Sequence, residues 1–302
     1  MISRRSELFP ELISVVLCCH NGAKTLADQL AALEKQDYTG SWELVFVNDC
    51  STDSSVSIAE SWSDRLPIRI IPTAQTGGPV GLASARNIGG KAARGDVLLF
   101  CDDDDVADEG WISAFALAAR ESAAFGGFNE EDLLNDPRVQ GWRYPWTPGR
   151  LPIAFGMAQV PVGNNSGVWR SAFRQIEGFD AEFSEFGSGE EVDFFWRVQL
   201  AGYEVRYVPT AIMHIRHRNS LKALVRQSYR YGLSNAVLYR RFRHLGLRRT
   251  SARETLAVLA RIARGIPGAL ATRRKRGAWL RMTAFACGQA VGSIRNRVWY
   301  VD

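Results

Sequence analysis

The sequence predicts an α/β fold: a doubly wound, mostly parallel sheet with helices on both faces, followed by a basic C-terminal helical extension. Three observations predict it. From Ile13 to about Phe100, short continuous β-branched apolar runs alternate with helix-like stretches, the pattern of parallel strands buried on both faces. Polar and acidic residues cluster directly after those runs, and sheets of this kind bind ligands beyond the carboxyl ends of their strands. Charge is divided along the chain: residues 1–214 hold 17 Lys and Arg against 30 Asp and Glu, whereas the other 88 hold 20 against two, Glu254 and Asp302. An acidic body large enough for one α/β domain and a basic tail give expected domains at 1–216 and 217–302. The composition, 46% hydrophobic and 23% charged, is that of an ordinary globular protein and excludes neither an enzyme nor a binding module.

The first strand is read at "ISVVLCC". Arg4 and Arg5 before an apolar run imitate a signal peptide, but Pro10 and Glu11 interrupt it, Ile13 to Cys19 is short and contains Ser14, and no small-residue cleavage site follows. "AKTLADQLAALEKQ" then reads as a helix, "WELVFVND" as a strand, "SSVSIAESW" as a helix and "IRIIPT" as a strand. A Gly-rich loop leads to the helix "GLASARNIGGKAA" and the fourth strand, "DVLLF". Residues 125–165 read as irregular; Trp142 and Trp146, among Pro145, Pro148 and Pro152, either stack on a sugar ring or form a second layer of core under a long loop. "GFDAEFSEFGSGEEVDFFWRVQLAGYEVRYVP" gives a loop, an amphipathic helix ended near Gly202, and another strand. Residues 217–302 are helical in composition. Ser251 with Glu254 is a capping box, and Pro267 with Gly268 is expected to break that helix.

No stretch of eighteen apolar residues predicts a membrane-spanning helix. Five cysteines, Cys18, Cys19, Cys50, Cys101 and Cys287, are odd in number and show no C-x-x-C spacing, so neither a disulfide framework nor a zinc cluster is indicated; a reducing cytoplasm is expected.

The strand ends carry the chemistry. His20 and Asn21 follow the first strand, Asn48, Asp49 and Ser51 the second, and Asp102 to Asp105 the fourth, so all three sets are expected at one crevice. The four adjacent carboxylates of "FCDDDD" repel one another and need compensation, from water on a solvated loop or from a bound cation. Mg2+ or Mn2+ suits such a half-filled oxygen site, being commonly shared between one or two carboxylates and a substrate diphosphate.

Taken together and in order, "ISVVLCCHN", "ELVFVNDCSTDSS", "GLASARNIGGKAARGDVLLFCDDDD" and "GEEVDFFWRVQLAGYEV" resemble the inverting nucleotide-sugar transferases of glycosyltransferase family 2, over residues 12–214. The resemblance implies a GT-A fold and a metal-dependent transfer of sugar from a nucleotide donor, a UDP-sugar foremost, to a hydroxyl. It implies that Asp49 reads the base, that Arg86 lies near the nucleotide and diphosphate, and that Cys18, His20, Asn21, Ser51, Asp102 and Asp103 line the donor pocket. Asp102 and Asp104 match the Asp-x-Asp motif, Asp104 as the direct ligand of Mn2+ or Mg2+, while Asp105 stabilises the loop or begins the next helix. The general base aligns with Glu191, where the family usually has aspartate; Glu190 and Asp193 are the alternatives, and a helix N-terminus favours acids there whatever the protein does. Gly187, Ser188 and Gly189 provide a flexible entry to that helix. His214 either completes the metal shell or is merely hydrogen-bonded at a strand end, with His217 close enough to compete. The chain departs from the family at Cys18 and Cys19, where proline and a small residue are usual, and at Cys50, where glycine is common.

The implied acceptor is a lipid-linked or cell-envelope glycan, with a small-molecule acceptor as the alternative. The basic tail suits an anionic membrane surface, giving a peripheral cytoplasmic protein, or it packs on the acidic body and binds substrate phosphates. No nucleic-acid recognition module is present. A nucleotidyltransferase is disfavoured because "CCHNGAKTL" supplies only Gly22 and Lys24 toward a phosphate loop; a non-catalytic sugar-nucleotide binder is the remaining rival.

Overall fold

The computed structural model describes residues 9–73, 77–143, 147 and 149–302; Arg4, Arg5, Pro145, Trp146 and Pro148, singled out above, lie outside them. The chain divides into two compact units. The first comprises residues 1–130, 147–184 and 190–215, the second residues 131–146, 185–189 and 216–302.

The first unit is built on an eight-stranded sheet. Strands β1 (Ile13–Cys19), β2 (Trp42–Asn48), β3 (Ile68–Pro72) and β4 (Val97–Asp102) are parallel and lie in the order β3-β2-β1-β4. Between them run α1 (Leu26–Glu34), α2 (Ser55–Glu60) and α3 (Leu82–Ala92). Strand periodicity sorts the apolar runs onto two faces. Val15, Leu17, Leu44, Phe46, Leu99 and Cys101 pack with Leu26, Leu30 and Leu33 of α1 and with Trp111, Ile112 and Phe115 of α4 (Trp111–Ala118). On the other face α3 lies close to the sheet: a Cβ on Gly89 would stand 2.4 Å from Val16 Cγ1, and one on Gly90 2.7 Å from the Phe173 ring. Helices thus cover both faces, as the continuous apolar strands require.

Beyond β4 the sheet continues β9-β6-β10-β5, with β5 (Val106–Ala107), β6 (Ala124–Glu130), β9 (Ser166–Trp169) and β10 (Val205–His214). β9 runs antiparallel to both β4 and β6, so the sheet is mixed at this point. β6 corrects the reading of 125–165 as irregular. A short hairpin, β7 (Ile153–Ala154) with β8 (Ala158–Gln159), lies in the same stretch. β10 is irregular between Val208 and Ile212 where it pairs with β6. Asn165 fills that break: its Nδ2 donates to the Phe128 and Ala211 carbonyls and to Asn129 Oδ1, while Trp111 Nε1 donates to its Oδ1 at 2.8 Å.

The second unit contains α5 (Pro137–Gln140), α8 (Leu221–Phe242), α9 (Ala252–Ala271) and α10 (Arg273–Arg295), while α6 (Arg170–Gln175) and α7 (Glu190–Leu200) belong to the first. α8 and α10 cross almost backbone to backbone: a Cβ on Gly232 would stand 2.1 Å from the Phe285 carbonyl oxygen, and one on Gly288 2.1 Å from that of Tyr229. Trp142 is fully buried against Val139 and Leu224, and a Cβ on Gly277 would meet its ring, so this tryptophan is core and not a sugar platform. The capping box forms as expected, with Ser251 Oγ accepting from Glu254 N and Glu254 accepting from Ser251 N. Pro267, however, does not break α9. It removes one N–H from a helix already nucleated by that cap, and the chain turns instead at Thr272, whose hydroxyl caps α10 by accepting from Lys275 N. Among the described residues no helix is long and apolar enough to cross a membrane.

Cys50, directly after β2, has φ +55°, the left-handed region that glycine adopts without strain. Cys50→Gly is expected to be close to neutral in denaturant unfolding, the strain relieved offsetting the added chain entropy, whereas Cys50→Val should cost about 1–2 kcal/mol.

Candidate functional site

The carboxyl ends of β1 and β2 are joined by hydrogen bonds, and that of β4 lies beside β1 through strand pairing of Cys18 with Asp102. Asp49 N donates to the Cys19 carbonyl, His20 Nδ1 lies 2.5 Å from the Asp49 carbonyl oxygen, and Asn21 N donates to Ser51 Oγ at 3.0 Å. Asn21 itself has φ +57° and uses its Oδ1 to accept from Thr52 N. His20, Asn21, Asp49 and Ser51 therefore form one linked rim. The Asp49 carboxylate is buried and already accepts from Thr73 Oγ1, Val80 N and Gly81 N at 2.7, 2.8 and 3.0 Å. It ties β2 to the entry of α3, leaving about one of its four acceptor positions for a ligand.

Arg86, on α3, is the centre of the site. It is 2% exposed and forks between two carboxylates: one terminal nitrogen donates to Asp102 Oδ1 at the end of β4, the other to Glu190 Oε1 at the start of α7, each at 2.9 Å. Burial alone would lower its pKa, but the Asp102 and Glu190 charges outweigh burial and raise it, so the guanidinium stays charged. Its path is open because residue 163 is glycine; a Cβ there would stand 2.4 Å from the guanidinium. Two buried atoms of this cluster, Arg86 Nε and Glu190 Oε2, have no partner among the described residues. Unsatisfied polar atoms are rare in protein interiors and concentrate where ligands bind.

The acidic turn separates its four residues. Asp102, Asp104 and Asp105 bring one carboxylate oxygen each to within 4.8 Å of one another. Asp102 and Asp104 are half-buried and Asp105 is buried, accepting from Asn164 Nδ2 at 2.6 Å. Asn164 in turn accepts from Asn129 at 3.2 Å. Asn129 and Asn164 were missed by sequence reasoning, although "GNNSG" placed Asn164 and Asn165 together between glycines. Asp103 turns the other way, onto Gly22 and Cys19: a Cβ on Gly22 would stand 1.8 Å from its Oδ2. Burial, with Asp104 and Asp102 beside it, pushes Asp103 up to about 7. Cys18 pairs in register with Asp102 and is buried, which holds its thiol neutral.

His214 lies outside that three-carboxylate group. Its Nδ1 is 2.8 Å from Glu130 Oε2 and its Nε2 3.9 Å from Asp108, and the third member of the group is Asp105. His217, in the second unit, pairs with Glu131. At the start of α7, Glu190 and Glu191 differ in burial, the first buried and the second half-buried. Burial, with the Glu191 charge adjoining, pushes the Glu190 carboxyl up, against the pull of Arg86. Asp193 is fully buried against Arg197, which also donates to the Ile176 and Gly178 carbonyls. That ion pair fastens α7 to the preceding turn and engages the Asp193 carboxylate.

Comparison with known proteins gives a consistent pattern. Residues 14–177 match the model for "Glycosyl transferase family 2" and residues 99–288 that for "Glycosyl transferase family group 2". The probable glycosyltransferase YdaM of Bacillus subtilis is 24% identical over 250 residues, 76% of this chain and 56% of that protein. The poly(ribitol-phosphate) beta-N-acetylglucosaminyltransferase TarS of Staphylococcus aureus is 32% identical over 123 residues, 40% of this chain and 20% of that protein. The chain therefore spans about half of one relative and a fifth of the other. Among solved structures, mannosyltransferase PcManGT from Pyrobaculum calidifontis, in complex with GDP-Man and Mn2+, superposes with a TM-score of 0.62 at 14% identity, covering 96% of this chain and 89% of that one. S. aureus TarS 1–349 in complex with UDP-GlcNAc gives 0.54 at 16% identity, covering 95% and 93%. At these identities the shared property is the fold.

The raised acids have a thermodynamic consequence. The folded state holds a proton on Asp103 up to about pH 7, where the unfolded chain has released it near 3.8, and burial shifts Glu190 upward in the same direction. The folded protein binds more protons over that interval, so stability is lost as pH rises. In metal-free buffer the melting temperature should fall from pH 6 to pH 9, and the slope should be shallower in Glu190→Gln, as read by differential scanning fluorimetry.

Proposed function

We propose that this chain, which belongs to glycosyl transferase family 2, moves a sugar from a nucleoside-diphosphate donor to an acceptor hydroxyl with inversion at the anomeric carbon. The observation that carries the reading is Arg86, whose two arms join the carboxylate at the diphosphate end of the site, Asp102, to the acid pair at the acceptor end, Glu190 and Glu191. The donor set fits a divalent cation: three hard carboxylate oxygens within 4.8 Å, two of them on half-buried residues that leave room for waters and phosphate oxygens. Asp102, Asp104 and Asp105 would hold Mn2+ or Mg2+, which supplies Lewis-acid neutralisation of the charge on a departing diphosphate.

The chain's own groups supply the rest. Arg86 adds a fixed positive charge beside the diphosphate, preorganised by Asp102 and Glu190 and therefore needing no reorientation during transfer. Glu191 is the base: it is half-buried, so a hydroxyl can reach it, whereas Glu190 is engaged with Arg86. As the acceptor oxygen forms its bond to the anomeric carbon, its proton passes to Glu191. The bond to the diphosphate oxygen breaks on the opposite face, and the electron pair leaves with the nucleoside diphosphate. The rim of His20, Asn21, Asp49 and Ser51 receives the nucleoside. The TarS complex supports UDP as the base-bearing half of the donor, and the polymer in the TarS name supports a cell-envelope glycan as acceptor.

A thermal-shift panel of UDP, GDP, dTDP and CDP, each with Mn2+ and with EDTA, tests the site. UDP with Mn2+ is expected to raise the melting temperature and EDTA to abolish the rise, as linkage requires of a ligand bound only by the folded state; no response to any nucleotide would overturn the reading. Asp104→Asn should lose the metal-dependent shift and lower turnover by about 10²-fold or more while leaving the metal-free melting curve intact. Glu191→Gln should keep the nucleotide shift and lose about 10²–10⁴-fold in transfer rate, and undiminished transfer would move the base to another residue.

A further inference from the structure

We propose that the cavity at the start of α8 binds the phosphate of a phosphate-bearing acceptor. The cavity is about 510 Å3, lies wholly within the second unit, and is bordered by Arg218, Lys222, Arg226 and Arg230 together with Phe186 and Tyr231. Lys222, Arg226 and Arg230 stand four residues apart on one helix, about 6 Å along its axis, and like charges at that spacing destabilise a helix. No carboxylate pairs with any of these three among the described residues, and no acidic side chain lines the cavity. Ser220 and Ala223 bring in the first turn of the same 22-residue helix, its positive end. A concave surface with this charge has a multiply charged anion as its complement, and the planar guanidinium forks match phosphate oxygens. Phe186 and Tyr231 add aromatic faces for the carbon skeleton that carries the phosphate.

The link to the acceptor is made by the chain itself. Gly187 lines the cavity and stands three residues before Glu190, so the segment bordering the phosphate site leads directly into the acid pair. The acceptor assignment rests on the transferase reading above. The site would fix an acceptor by a charge that every repeat of a phosphodiester polymer, or the head of a phosphorylated lipid, presents.

The test uses the full chain in EDTA at about 0.15 M salt, where the acidic turn cannot take up phosphate through a cation and attraction beyond about 8 Å is screened. Inorganic tripolyphosphate is titrated calorimetrically, and phosphatidylcholine vesicles with and without phosphatidic acid are co-sedimented with the protein. Saturable tripolyphosphate binding is expected, weakened about tenfold in Arg226→Gln and again in Arg230→Gln. It should be unchanged in Arg253→Gln, which removes an exposed arginine outside the cavity. Binding confined to phosphatidic-acid vesicles, with the same dependence on Arg226 and Arg230, supports the site with a lipid as the phosphate source; a response to tripolyphosphate supports a soluble one. Binding of neither probe, or equal weakening by Arg253→Gln, overturns the proposal. Failure of the transferase reading registers separately, as absence of the Mn2+-dependent nucleotide shift in the same wild-type preparation.

Discussion

One buried guanidinium, Arg86, sets the terms for the candidate site. Moving a charge out of water is expensive unless its partners meet it in good geometry, and Arg86 meets two, from elements far apart in sequence. The bridge fixes the separation of β4 and the head of α7, and with it the distance between the Asp102 and Glu190 ends of the crevice. Everything around it makes way. Residue 163 lacks a side chain, and an aromatic cluster of Phe100, Phe173, Phe179 and Phe194 packs beneath, with the Phe179 ring 5.7 Å from the guanidinium carbon. In that low-dielectric setting the Glu190 proton affinity rises, the counterpart of holding several acids around a single cation.

A second constraint comes from the reversal of strand direction at β9. β4 ends at Asp102, and the segment that returns antiparallel beside it is entered through Asn164 and Asn165. One amide holds Asp105 in the acidic turn and the other closes the break in β10, so a single dipeptide couples the metal-ligand candidates to the regularity of the sheet's far half. Such satisfied polar networks specify a unique arrangement because each member is costly to leave unpaired.

Much of this was legible in the sequence, and the exceptions are instructive. β1 to β4 announced themselves by continuous β-branched runs, and the acids at their ends by position alone. β6 did not, because its Gly126 and Gly127 depress strand propensity. Those glycines answer to neighbours that no local pattern contains: a Cβ on Gly126 would strike Pro161 and one on Gly127 the Ala211 carbonyl. Pro267 misled for the converse reason, since a local rule was overridden by a strong cap and a long flanking helix. Within the site, residue types were readable and orientations were not. Asp102 to Asp105 look equivalent in the sequence, yet Asp103 turns to Gly22 while its neighbours converge. Likewise Asp193 and Glu190 share a helical turn, but Arg197 claims one and Arg86 the other.

The second unit is assembled from three separate stretches of chain, and this has a bearing on how the protein is made. Val139 and Trp142 leave the ribosome well before Leu224 of α8 and Gly277 of α10, which pack against them. At about 5–20 residues per second, the large Trp142 ring waits for several seconds without its core. The same discontinuity means that no single cut in the chain separates the basic helices from the sheet-bearing unit without stranding one strip of core in solvent. What the charge distribution presents as a detachable tail is, in its wiring, one part of a unit that draws two further stretches from earlier in the chain.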